Sequence, residues 1–334
     1  MPRSFAPTAE QSPHTHEHEH EHEPATQPTQ IQGATPMRIV VNTPAGNIGH
    51  VVVDRLLEAK HEVVIISRHP EKVAPATAKG ARLMRGSIDQ ESVVDRALEG
   101  ADALFWLTPV AFEPVEYIRW ATTIGERAEA LAGRHAVPRA VVISSIGAQH
   151  DSGVGPVGCN AMIEQAFERA VPNVTVLRPG SFMENLLQHV GTIAQAGSMY
   201  TRYPISMGIP WIATRDIAER AVAALTDSAS KGHRLFELQG PEDLDQLQVA
   251  SILSEAIERR ITSIEVTDEQ ARRGMVAGGV PSRFADLLLE MYAALASGRM
   301  RRTQPRGAAT STPTTLLTFA REVLKPAVDA ALAR

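Results

Sequence analysis

Strand-length apolar runs alternate with stretches of helical periodicity along most of the chain. Runs at 37–41, 62–67, 81–84, 101–107, 140–146 and 173–177 have the length and apolar character of strands. Between the first two, Ile48, Val51, Val52, Leu56 and Ala59 recur at helical spacing. A longer helix is predicted over 114–133, with Tyr117, Ile118, Trp120, Ile124 and Leu131 as its apolar stripe. Strand followed by helix, repeated, predicts an α/β protein with a doubly wound, mostly parallel sheet. Beyond Ser228 the alternation resumes, with strands at 233–238 and 261–266 and helices at 243–260 and from about 267 and 281. Residues 297–310 are rich in Gly, Arg and polar side chains and read as a flexible connector. A final amphipathic helix opens at Thr312-Pro313-Thr314-Thr315. The predicted organisation is a tail at 1–35, a core at 36–180, and a smaller C-terminal α/β lobe over 181–334 that returns some strands to the core.

The first strand–turn–helix–strand unit carries a chemical signature. Its turn is Asn42-Thr43-Pro44-Ala45-Gly46-Asn47-Ile48-Gly49. A helix opening directly after such a turn offers free N–H groups and a positive dipole end to a pyrophosphate. Thr43, Gly46, Asn47, Ile48 and Gly49 are the candidate phosphate contacts of a Rossmann-type site. Gly46 would let backbone approach the phosphates, and Gly49 would let the helix pack closely on the sheet. Thr43 must turn the chain with a β-branched residue, so it is expected at negative φ. The second strand ends Ser67-Arg68-His69, without the acidic residue that usually holds a ribose 2′-OH in an NAD site. Arg68 suits a 2′-phosphate instead, with Lys72 one helical turn on. The expected cofactor is NADP(H) in preference to NAD(H); the alternative is that Arg68 only caps a surface loop. Cleft residues come from strand carboxyl ends, so Thr108 and Pro109 are expected on the nicotinamide side. Phe112 either faces a substrate or packs under the next helix.

Composition narrows the field. The 334 residues are 43% hydrophobic with a net charge of −5, which gives no basic footprint for nucleic acid. No apolar run is long enough to span a membrane, and no signal-peptide core precedes the first strand. Cys159 is the one cysteine, so neither a disulfide framework nor a cysteine metal cluster is available, and a cytoplasmic location is the default. The tail has almost nothing to bury and is expected to be disordered. Its alternating stretch from His16 to His22 is either a chelating segment or simply solvated.

Several segments resemble the NmrA-like branch of the atypical short-chain dehydrogenase/reductases. That family's G-x-x-G-x-x-G fingerprint has its second and third glycines here as Gly46 and Gly49, with Thr43 replacing the first. Ser144-Ser145-Ile146-Gly147-Ala148 matches the family's SSIGA segment. Residues 177–186 match its LRPGxFMENL segment, and 211–218 resemble its next helix start. The resemblance spans roughly 37–330. It implies that Ser144, Asn160, Pro179, Gly180, Ser181 and Phe182 border the cofactor and that Ile88 lies against the purine. Ser87 stands where the family has an Asp, and Asp89 more simply caps the following helix. Ser145 would hydrogen-bond a substrate carbonyl. Met183, Asn185 and Trp211, with Tyr203 and Met207, are candidate substrate walls, and each could equally be core. Thr214 and Asp216 read as helix-start residues.

Aligning on the family's K-x-x-x-E pattern through Glu164 puts Asn160 at the usual lysine and Pro156 at the usual tyrosine. Neither can pass a proton. His150, in the loop after Ser145, is the candidate replacement beside solvent or a substrate hydroxyl. Three activities fit: an NADPH-dependent reductase of a quinone, enone or aromatic polyketide ketone; a regulatory protein that senses NADP without turnover; or an isomerase or lyase on the same fold. A small, planar or apolar molecule is the expected partner.

Removing residues 1–35 is expected to leave the melting temperature unchanged, because that segment buries almost no apolar surface. A fall of several degrees in a thermal melt would show that the segment docks.

Overall fold

The computed structural model of the protein describes residues 35–333. The expectations for the His/Glu-rich tail fall on residues 1–34 and lie outside the described residues. The first half of the chain runs β1 (Arg38–Val41), α1 (Gly49–Glu58), β2 (Glu62–Ser67), α2 (Ala74–Ala78), β3 (Arg82–Arg85), α3 (Glu91–Leu98), β4 (Ala103–Leu107), α4 (Tyr117–Arg134), β5 (Arg139–Ile143), α5 (Gly158–Ala170) and β6 (Asn173–Pro179). The second half runs β7 (Ser181–Phe182), α6 (Val190–Ala196), β8 (Ser198–Thr201), β9 (Ile209–Ile212), α7 (Thr214–Thr226), β10 (His233–Leu238), β11 (Asp243–Leu244), α8 (Gln246–Ile257), β12 (Thr262–Glu265), α9 (Asp268–Ala277), α10 (Ser282–Ala296), α11 (Leu316–Phe319) and α12 (Lys325–Leu332).

Seven strands form one parallel sheet in the order β10-β6-β5-β4-β1-β2-β3. This is the doubly wound Rossmann-like α/β fold. The inner strands are buried on both faces because helices cover both sides, which explains their unbroken apolar runs. Alternate residues serve alternate faces. Val40, Leu104, Trp106 and Val142 pack with residues of α3, α4 and α5 such as Ala97, Ile124 and Phe167. Ile39, Val41, Phe105 and Val141 pack with residues of α1 and α7 such as Val52, Leu56, Ile217 and Leu225. Each such fully buried side chain contributes roughly 1.5–3 kcal/mol by leaving water.

After β6 the chain builds a second cluster of its own. Met183, Met199, Trp211, Leu253, Phe319 and Val328 form an apolar centre outside the main sheet. Two small sheets frame it, β11-β9-β7 and β12-β8. From this half β10 joins the main sheet, and α7 and α10 pack on its two faces; β12, which the sequence places in the same alternation, pairs with β8 instead. Asp245 and Thr267 close capping boxes on α8 and α9 with Gln248 and Gln270, which fixes where those helices start.

The segment 297–312 departs from expectation. It is an ordered strap, not a flexible connector. Glu237, wholly buried on β10, accepts hydrogen bonds from the backbone N–H groups of Thr303 (2.5 Å) and Gln304 (2.7 Å). The Gln304 side chain accepts from the Glu237 N–H and donates to the Leu235 carbonyl, both at 2.9 Å. Arg302 and Arg306 pair with Asp243, and the Gln239 backbone bonds to residues 310 and 312. The polar composition that looked like a linker serves the exposed edge of β10, which would otherwise carry unpaired backbone groups. No helix among the described residues is long and apolar enough to cross a membrane.

Candidate functional site

The strand order reverses between β1 and β4. From β1 the chain winds outward through β2 and β3, and from β4 it winds the other way. The carboxyl ends of these two strands therefore part to leave a crevice. Asn42, buried at the end of β1, fixes its width. Its side-chain amide donates to the Leu107 carbonyl (2.9 Å) and accepts from the Leu107 N–H (3.0 Å). That doublet imitates one more sheet pair. The sequence reading gave Asn42 no role; a polar amide closing an apolar run was the available signal.

The turn above the crevice has the geometry of an anion cradle. The Gly46 N–H donates to the Thr43 carbonyl at 3.2 Å. Thr43 is outside the set of non-glycine residues at positive φ, which comprises Lys60, Ala136 and Glu258 among the described residues. A Cβ on Gly49 would lie 1.9 Å from the Thr43 carbonyl oxygen, so Gly49 is required by the turn itself rather than by helix–sheet packing. A Cβ on Gly46 would meet only ordinary contact, at 3.5 Å. Its missing side chain instead keeps the exposed stretch 45–47 open. Helix α1 begins with no side-chain cap and no acidic residue in its first turn, and the buried Thr43 hydroxyl has no partner. His50 folds its Nδ1 onto the Gly46 carbonyl at 2.9 Å. These features fit a diphosphate: free N–H groups, a positive helix end and no competing carboxylate.

At the end of β2, Ser67 is tied into its own turn through His69. Arg68 is exposed and makes no hydrogen bond or ion pair among the described residues. Asp89 does not cap α3, whose N-cap is Gln90. Its carboxylate accepts from Ser87 Oγ (2.6 Å) and Trp120 Nε1 (2.5 Å). Burial works against its charge, but those two bonds and the Arg68 guanidinium hold its carboxyl below the usual range. Ile88 is placed differently from the expectation: its side chain packs into the core with Val93 and Val94. Asp89, Arg119, Trp120 and Arg127 instead line an open groove of about 460 Å³ beside it.

At the ends of β5 and β6, Ser144 lies away from the cofactor side expected of it. Its hydroxyl is buried and donates to Glu164, so it is not available to a cofactor. Glu164, on α5, holds Arg178, on β6, by a bidentate pair (2.9 and 2.5 Å). All three residues are less than a tenth exposed. Ser145, next along, is only half-buried and donates to the Ile146 carbonyl at 3.0 Å. Asn160 stands partly exposed in the first turn of α5, its amide oxygen met only by the Cys159 thiol at 3.8 Å. Pro156 sits in a short 3₁₀ turn, Gly155–Val157. His150 is turned to the strap, with Nε2 3.1 Å from the Arg299 carbonyl, and so ties that loop down instead of presenting a proton at the crevice. Thr108 Oγ accepts from Trp106 Nε1 (3.2 Å), and Pro109 follows at the crevice rim. Pro179 ends β6, and Gly180 lets the chain pass the Pro210 carbonyl, which a Cβ would approach to 2.2 Å. Ser181 and Phe182 pair in parallel with Trp211 and Ile212.

Of the expected substrate walls, Met183 and Trp211 are 1% and 3% exposed and belong to the C-terminal core, so they line no open surface. Tyr203 and Met207 pack against the same core. Asn185 is exposed. Phe112 is 40% exposed and lines a cavity of about 240 Å³ between the loop after β4 and α10. Thr214 does not cap α7; it is capped. The Glu184 carboxylate accepts from its N–H (3.1 Å) and hydroxyl (2.6 Å), a role that the sequence reading did not assign. Asp216 accepts from the Thr314 N–H (3.0 Å) and hydroxyl (2.7 Å), which anchors the start of α11.

The family model of the NmrA-like family matches residues 35–303. The chain belongs to that family. It is 31% identical over 256 residues to an NAD(P)H azoreductase of Xenophilus azovorans, covering 76% of this chain and 86% of that one. An NADPH-dependent quinone oxidoreductase from Escherichia coli, solved with NADPH, superposes with a TM-score of 0.72 at 19% identity, over 86% of this chain and 99% of that one. NmrA, a negative transcriptional regulator solved with NADP, superposes with a TM-score of 0.68 at 16% identity, over 88% and 97%.

Glu164→Ala is expected to cost about 3–5 kcal/mol, because it leaves the Arg178 charge buried without its partner. Chemical denaturation checks this, and a loss below about 1 kcal/mol would show that the pair is already water-exposed.

Proposed function

We propose that the protein is an NADPH-dependent reductase of a small, planar, electron-poor acceptor such as a quinone, enone or azo compound. One observation carries the reading: an uncapped helix end over an open glycine turn, set at the point where strand order reverses. Thr43, Gly46, Asn47 and the first turn of α1 hold the diphosphate. Arg68, which makes no ion pair among the described residues although the Asp89 carboxylate lies within its field, takes the 2′-phosphate. The bound nicotinamide supplies hydride. Ser145 orients the acceptor oxygen or nitrogen at the carboxyl end of β5, and Thr108, Pro109 and Gly180 border the ring. Both the azoreductase and the quinone oxidoreductase relatives are nicotinamide-dependent reductases by name, which supports this class.

The missing acid pair shapes the substrate range. With Pro156 and Asn160 at those positions, no side chain there donates a proton. An acceptor that stabilises the added electrons itself takes its proton from water afterwards. The same loss favours a second reading, nucleotide sensing without turnover. NADPH oxidation against a quinone and azo panel separates the two: binding with no oxidation of any member overturns the reductase reading.

Two variants refine the proposal. Arg68→Ala should reduce the preference for NADPH over NADH by about 1.5–3 kcal/mol, the scale of a hydrogen bond to a charged group. Equal affinities for the two nucleotides in the unaltered protein at low salt would sink that assignment. Ser145→Ala should lower kcat on the order of a hundredfold with little change in NADPH affinity, as loss of one donor to developing negative charge does. Full kcat in that variant would place acceptor orientation elsewhere.

A further inference from the structure

The cavity beside Phe112 has a chemistry of its own. It opens just past the carboxyl end of β4, where Ala111 joins its lining. Its walls are aromatic. Phe112 and Tyr117 both meet Phe284 edge-on, with ring centroids 5.1 Å apart in each case. Leu287 completes the apolar side. The Tyr117 hydroxyl lies 3.5 Å from the Pro109 carbonyl, which links this wall to the segment at the crevice. Val110 (64% exposed) and Val115 (69%) stand at either side of Phe112 on the same loop, so a run of apolar side chains faces solvent here without serving the core.

One cation faces this aromatic box. Arg283, on α10, donates through one terminal nitrogen to the carbonyls of Phe112 (3.0 Å) and Glu113 (3.4 Å). Its other two nitrogens meet no acceptor among the described residues, and it pairs with no carboxylate there. The acid one turn on, Asp286, is already paired with Arg272. Glu116 also lines the cavity and opposes an anion, as does the charge of Glu113 nearby. An exposed apolar ring on one side and a planar guanidinium with two nitrogens still free on the other match a flat ring bearing one carboxylate-like group.

We infer that this cavity binds the non-reacting ring of an aromatic substrate that carries a single negative charge, with the ring against Phe112, which the core residue Phe284 backs, and the anion on Arg283. That this ligand is the substrate rests on the reductase reading; the cavity itself is tested without nucleotide. The full-length protein would be titrated with 2-naphthoate and with its neutral isostere 2-naphthamide, followed by calorimetry and by ligand-observed NMR. Naphthoate is expected to bind about tenfold more tightly than the amide, the modest ratio reflecting the opposing Glu116. Arg283→Gln should remove that ratio while leaving naphthamide binding within twofold, Arg283→Lys should retain most of it, and Phe112→Ala should weaken both ligands. NADPH affinity should stay unchanged in all three variants. Equal affinity for the two probes, no binding of either, or an equal loss of both in Arg283→Gln would overturn the inference. The last result would show that Arg283 only pins the loop. Failure to bind NADPH would overturn the reductase reading alone.

Discussion

The floor of the site rests on a buried charge pair. Glu164 and Arg178 come from α5 and β6, and Ser144 adds a hydroxyl from the end of β5. Removing two charges from water costs several kcal/mol each, so the pair is a poor source of net stability. Its effect is positional. A bidentate guanidinium–carboxylate contact has one geometry, and it sets how far α5 stands from the two strands it crosses. Ser145, Pro156 and Asn160 all hang from that frame. The same contact explains why Ser144 and Ser145, identical in type and adjacent in sequence, have opposite fates: just past the end of β5, Glu164 draws one hydroxyl into the core and the other stays at the rim.

Around this frame the C-terminal half acts as packing for the loop after β5. A Cβ on Gly155, which has φ +58°, would lie 2.1 Å from the Leu287 carbonyl of α10. Met300 of the strap presses on Gly147, and the strap's Arg299 and Arg301 carbonyls accept from His150 and Gln149. Helix α10 thus holds both the aromatic cavity and the segment that carries Pro156. The backbone of α10 covers Gly155, while Pro156 beside it stays partly exposed.

The elements were legible because their burial is local. Inner strands read as unbroken apolar runs, and α1 and α4 as clean stripes. The glycine turn was legible because its two surviving glycines sit where a helix must open. What escaped the sequence was long-range pairing. Asn42 with Leu107, Glu184 with Thr214, Asp216 with Thr314 and Glu237 with the strap join residues 30 or more positions apart, and no local period marks them. Met183 and Trp211 stayed open between substrate wall and core for a related reason: a motif gives chain position, but only the C-terminal cluster decides which face of that chain is buried, and it buries both.

For the reductase proposed above, substrate electronics follow from the same geometry. A ketone reduced by hydride leaves an alkoxide that needs an acid at hand. A quinone or an azo group spreads the added charge over a conjugated frame and can wait for water. With Asn160 unable to donate as an ammonium would and His150 bound to the strap, the cavity wall has no proton to offer at the moment of transfer. Selection then falls to shape and charge: an open crevice set by Asn42, one hydroxyl at Ser145, and rings and a guanidinium just beyond β4. A reductase of the proposed kind would discriminate by how a flat molecule lies, and would turn over those molecules whose own π system does what the missing tyrosine would have done.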